Sequence, residues 1–219
     1  MLPTVFLDEL DRAMQAGAAE QAALLRRLAE DADAVIPVIT SDYHAMRRWS
    51  GMFTLLQVIG YPRNAPALPW MVDHIDRNSS AAQTLVALLS SIPVYAVTPH
   101  IIQRLLAPHQ TESWGYDVES LCATLQELAP DYTLPCVPAL VHVLEHVQDP
   151  LMLDVGFIID TIERTGPVGA AQAAPALLFV MRTHTAPETA QQARAAFASL
   201  PTEIRKLYAL VAGSPEMSA

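Results

Sequence analysis

Six prolines recur along this chain in one register, and that periodicity constrains the fold more than any other feature. Leu2 Pro3 Thr4 Val5, Ile36 Pro37 Val38 Ile39, Ala65 Pro66 Ala67 Leu68, Thr98 Pro99 His100 Ile101, Val137 Pro138 Ala139 Leu140 and Ala174 Pro175 Ala176 Leu177 align, with their prolines 34, 29, 33, 39 and 37 residues apart. Repeats of that length are two-helix units. Proline is tolerated in a first helical turn, where its missing N–H would have no partner, so each proline predicts the start of a helix. Apolar stripes follow at helical spacing: Leu140, Val141, Leu144 and Val147 in one unit, Ile101, Ile102 and Leu105 in another.

A second helix is predicted in each unit by a further stripe. These are Trp49, Met52, Leu56, Ile59; Ala82, Leu85, Leu89, Ile92; Val118, Leu121, Leu125, Leu128; Val155, Ile158, Ile162; and Ala190, Ala193, Phe197, Leu200. Gly60, Pro93, Pro130, Gly166 and Pro201 fall just past them, where glycine ends a helix and proline cannot continue one. A lone helix pair cannot bury its apolar face, whereas stacked pairs share one core, which accounts for 52% hydrophobic residues without a membrane. The expectation is an all-α chain: a right-handed α-α superhelix of about six two-helix repeats plus a last helix from Thr202 to Val211. It would form a single domain over residues 1–212, with 213–219 as a flexible tail.

The paired helices, the proline near each first helix and the small-residue-rich second helices resemble bacterial HEAT-repeat proteins over residues 3–212. Asp76 Arg77 Asn78 Ser79 Ser80 Ala81, followed by Trp114 Gly115 Tyr116, is similar to a bacterial HEAT-like domain with N-W-P-x-A and W-K-Y patterns, Ser79 and Ser80 standing where that domain has Trp-Pro. The resemblance implies a HEAT-like solenoid. Among its relatives in fold are immunity proteins that mask toxins, DNA glycosylase-like enzymes and bilin lyase-like enzymes.

Catalytic patterns are sparse. His142 Val143 Leu144 Glu145 His146 has the form of a zinc-protease helix. Its inward face belongs to Leu140, Val141, Leu144 and Val147, which leaves both histidines and Glu145 on a solvated polar face without a third ligand. Trp70 is either a partner anchor or packing between units, and Phe179 and Arg182 fall at equivalent outward positions. Cys122 lies on an apolar stripe and reads as a small core residue. The two cysteines, Cys122 and Cys136, form no C-x-x-C motif, and the eight glycines form no phosphate loop. No catalytic, metal or cofactor site is predicted.

Charge is distributed unevenly. Between Arg104 and Arg164 there is no Lys or Arg, while Glu112, Asp117, Glu119, Glu127, Asp131, Glu145, Asp149, Asp154, Asp160 and Glu163 contribute ten negative charges, equal to the net charge of −10. Such a balance speaks against a duplex-binding protein, which neutralises phosphates with Lys and Arg. If second helices line a concave surface, Tyr116, Asp117, Ser120, Thr124 and Glu127 face it in one unit, and Leu153, Asp154, Phe157, Asp160 and Thr161 in the next. The predicted partner-binding set is Tyr116, Asp117, Ser120, Glu127, Asp154, Phe157 and Asp160, where carboxylates would steer a basic protein and aromatics would add contact area. The expected protein is a cytoplasmic, non-enzymatic module, monomeric or weakly oligomeric, binding neither membrane nor nucleic acid. An enzyme on the same scaffold is the alternative.

Overall fold

The second-helix stripes are buried in the computed structural model, which describes residues 3–41, 48–107, 114–146, 153–183 and 187–212. Met52, Leu56, Leu85, Leu89, Val118, Leu121, Leu125, Ile158, Ile162, Ala193 and Phe197 are all inside. No strand occurs among the described residues, and the chain is all-α. No helix among them is long and apolar enough to cross a membrane.

Two compact units divide the chain at Met1–His100 and Ile101–Ala219. The first contains α1 (Pro3–Gln15), α2 (Ala18–Glu30), α3 (Ala32–Ser41), α4 (Trp49–Ile59), α5 (Leu68–Asp73) and α6 (Ala82–Ser90). The division falls within α7 (Val94–Leu105). In the first unit α1 packs on α2, α2 on α4, and α4 on α6. The second contains α8 (Trp114–Glu127), α9 (Pro130–Thr133), α10 (Val137–His146), α11 (Val155–Glu163), α12 (Gly166–Thr183), α13 (Pro187–Ala198) and α14 (Thr202–Ala212). Here α8, α11 and α13 pack in succession, α10 packs on α12, and contacts of α10 with α11, α11 with α12 and α12 with α13 join the two rows. Phe197 and Leu200 close the end of this core with Ala170, Ala174 and Leu178, covered by Ile204 and Tyr208 of α14.

Helix ends follow the expected punctuation. Gly60 caps α4 with a φ of 73°, and Gly166 opens α12 at 72°, backbone conformations that side chains with a Cβ rarely adopt. The prolines behave differently from the sequence expectation. Pro3 starts α1 and Pro138 is the second residue of α10, but Pro37, Pro99 and Pro175 lie inside α3, α7 and α12. Pro66 sits in a short 3-10 turn, Ala65–Ala67, that leads into α5. An internal proline removes one helical hydrogen bond. The residues upstream nevertheless stay helical because burying Val35 and Ile36, Val97, or Ala173 and Ala174 outweighs that loss. The inward face of α10 also shifts by one position: Ala139, Leu140, Val143 and Leu144 are buried, while Val141 is only half-buried. Val147 lies outside the described residues.

A staple recurs where second helices end. Asn64 Nδ2 donates to the Leu56 carbonyl at 3.0 Å, and Thr133 Oγ1 donates to the Leu125 carbonyl at 3.1 Å. In both cases the residues are eight apart, and both donors are buried. Each staple gives a donor to a carbonyl in the last turn of a helix, and the Leu56 carbonyl also accepts from the Gly60 N–H at 3.1 Å.

Candidate functional site

The acidic face of the second unit is assembled by α8 and α11, which run parallel. Glu119 Oε1 on α8 accepts from the Asp154 backbone N–H at 3.0 Å. One helical turn and more along, Gln126 Nε2 donates to Thr161 Oγ1 at 3.0 Å and to the Phe157 carbonyl at 3.4 Å. At the far end the Arg164 guanidinium donates to the Gln126 carbonyl, placing a cation at the negative C-terminus of α8. These bonds connect residues 31 to 38 positions apart, the spacing at which the prolines recur. The start of α11 is fixed by Asp154, whose carboxylate accepts from the Gly156 N–H at 2.9 Å as an N-cap. Gly156 permits α13 to come close: a Cβ there would meet Gln192 Oε1 at 2.7 Å.

The structure sorts the residues predicted for this surface. Glu127, Asp154 and Asp160 are exposed, with Tyr116 and Phe157 half-buried beside them on the same two helices. Ser120 is wholly buried and is corrected out of the surface, as are Thr124, Leu153 and Thr161. The reason is that α8 is flanked on two sides, by α9 and by α11, so its buried stripe is wider than one apolar row. Asp117 is half-buried, and its carboxylate pairs with Arg104 at 2.7 Å, which offsets its charge. Glu112 and Asp149 lie outside the described residues. Glu163 joins Asp160 at the end of α11, where partial burial, then the neighbouring Asp160 charge, raise its pKa. Its place was open to sequence reasoning, since it lies three residues from Asp160 on a helix. The Arg104 pair was not, because nothing local predicts contact across thirteen residues and a turn.

The other sequence candidates divide between packing and exposed positions. Trp70 is buried, stacked on His74 with centroids 4.3 Å apart and tilted against Phe53 at 5.5 Å. Phe179 is exposed on α12. Cys122 and Cys136 are free, buried thiols whose pKa burial pushes up to about 12, so neither is poised as a nucleophile. His142, Glu145 and His146 are exposed. The first unit holds a cleft of about 440 Å³ between α1 and α4, bordered by Leu10, Asp11, Met14, Ser50 and Gly51, which no pattern along the chain foreshadows. Arg48 closes one side of it through a 2.9 Å ion pair with Asp11.

No family model, curated protein or solved structure matches the chain.

Proposed function

We propose that this chain is a non-enzymatic protein-binding module, a HEAT-like α-solenoid whose acidic face on α8 and α11 receives a basic protein, in the manner of an immunity protein masking a toxin. One observation carries the reading. α8 and α11 pack side by side, and they carry the exposed carboxylates of Glu127, Asp154, Asp160 and Glu163 together with half-buried Tyr116 and Phe157. This happens within the one long stretch of sequence that has no Lys or Arg. Interleaved acids and aromatics supply steering at long range and contact area at short range. The same field disfavours the glycosylase-like alternative, whose groove must hold phosphates.

The structure also selects the right test. Asp154 caps α11, so reversing its charge would weaken the helix as well as the surface. Glu127→Lys with Asp160→Lys changes only exposed positions. Fluorescence anisotropy with a labelled Arg-rich peptide should show binding to the native chain, weakened at least tenfold by this double reversal, about 1.4 kcal/mol. The control is Asp131→Lys with Glu145→Lys, exposed acids on α9 and α10 that alter net charge equally. Equal weakening by both pairs would mean that bulk charge alone attracts the peptide, and the assigned surface would be wrong.

A further inference from the structure

The structure assigns a second, separate site: we propose that His142 and His146 on α10 chelate a late first-row divalent transition-metal ion, copper(II) most tightly. The sequence places the two imidazoles four residues apart, one turn along the same helical face. The fold leaves both exposed and sets their rings 4.0 Å apart between centroids, 33° from parallel. His146 Nδ1 lies 2.8 Å from the His142 carbonyl. A carbonyl only accepts, so this bond assigns the proton of the neutral ring to Nδ1 and leaves the Nε2 lone pair for a metal. Imidazoles that bind metals commonly donate their other N–H to such a partner, which fixes the ring for ligation.

The surroundings favour a cation. The pair lies toward the C-terminal end of α10, the partially negative end of a helix, and Glu145 is exposed between the two histidines. Neighbouring sequence from Arg104 to Arg164 contributes no competing Lys or Arg. Among the described residues no three His, Cys, Asp or Glu side chains converge on one point. The described residues thus offer two nitrogen ligands. Two imidazoles with an open remainder suit copper(II), nickel(II) and zinc(II) over magnesium, and the general affinity order puts copper(II) first. His74 makes a similar carbonyl contact, at 2.8 Å from Trp70, but its ring neighbours are Trp49 and Trp70. It has no second imidazole on its helix.

The test is calorimetric titration of the full chain with copper(II), paired with electron paramagnetic resonance to count ligating nitrogens. The native chain is expected to bind one ion through two nitrogens. His142→Gln and His146→Gln, both at exposed positions in a residue that keeps the helix, should each weaken that binding at least tenfold, and the double variant should bind no tighter than either single one. Unchanged melting temperatures without metal establish that the variants fold. With saturating copper(II), melting should rise in the native chain and not in the single variants, because an ion held across one turn stabilises the folded helix. Single variants that bind as tightly as the native chain, or a nitrogen count unchanged by them, would overturn the site. So would magnesium binding with the affinity of copper.

Discussion

Replacing Thr133 by Val tests whether the buried staple at the end of α8 holds the second unit together. The side chain is 1% exposed, and its hydroxyl donates to the Leu125 carbonyl at 3.1 Å. Valine has nearly the same shape, so the change opens no cavity and isolates the hydrogen bond. A buried bond of this kind contributes a net ~0.5–1.5 kcal/mol, and leaving its carbonyl unpartnered raises the loss to about 1–3 kcal/mol. The methyl that replaces the hydroxyl recovers part of this, which leaves a destabilisation of about 1–2 kcal/mol. For a chain of this size that lowers the melting temperature by roughly 2–8 °C. The equivalent change in the first unit, Asn64→Leu, breaks the matching bond to Leu56. It also removes the Asn64 Oδ1 atom, which is buried without a hydrogen-bond partner. Asn64→Leu should therefore cost less than Thr133→Val. Differential scanning calorimetry on both variants decides the matter. A Thr133→Val protein that melts at or above the native temperature, or an inverted order of the two, would refute the reasoning.

Two further perturbations follow from close packing and from burial. A Cβ at Gly169 would lie 1.7 Å from Thr165 Oγ1 and 3.2 Å from Val137 Cγ2, so Gly169→Ala should destabilise by about 1–3 kcal/mol less up to ~1 kcal/mol of helix propensity. Thr165→Gly removes the obstacle, and denaturation of the double variant should show Gly169→Ala costing less in that background; strictly additive effects would contradict it. For Cys122 and Cys136, folded pKa values of about 12 stand above the ordinary 9.0, so the unfolded chain releases these protons first as pH rises. Stability contributed by keeping the thiols neutral is complete below about pH 8.5 and falls between there and about 12. Urea titrations at pH 8 and pH 10.5 should show Cys122→Ala reducing that decline, and a thiol reagent at pH 8 should label both cysteines only after unfolding.

The acidic face was partly legible in the sequence. A run without Lys or Arg is visible in one dimension, and Glu127, Asp154 and Asp160 are exposed as helical periodicity predicted. Ser120 and Asp117 show where that projection fails. Periodicity treats a helix as having one buried side, but α8 has neighbours on two, so Ser120 disappears inside. Charge counting treats Arg104 as the edge of the acidic stretch, whereas its side chain turns back 2.7 Å from Asp117 and neutralises it. The bond from Glu119 to the Asp154 N–H gives an acid that sequence reasoning counted only as charge a second task, at the start of α11.

By itself the sequence determined what is set by near neighbours along the chain: helical content, the buried stripes at Met52 and Leu56 or Leu121 and Leu125, and the stops at Gly60 and Gly166. These depend on a 3.6-residue period and on backbone stereochemistry, which each short segment carries within it. Tertiary structure alone decided how far α3, α7 and α12 extend upstream of Pro37, Pro99 and Pro175. It also decided which polar groups close the helix ends and which acids keep their charge uncompensated. Those outcomes depend on side chains brought together across 8 to 38 residues, and a lost backbone bond or a desolvated carboxylate is tolerated only when packing elsewhere offsets it.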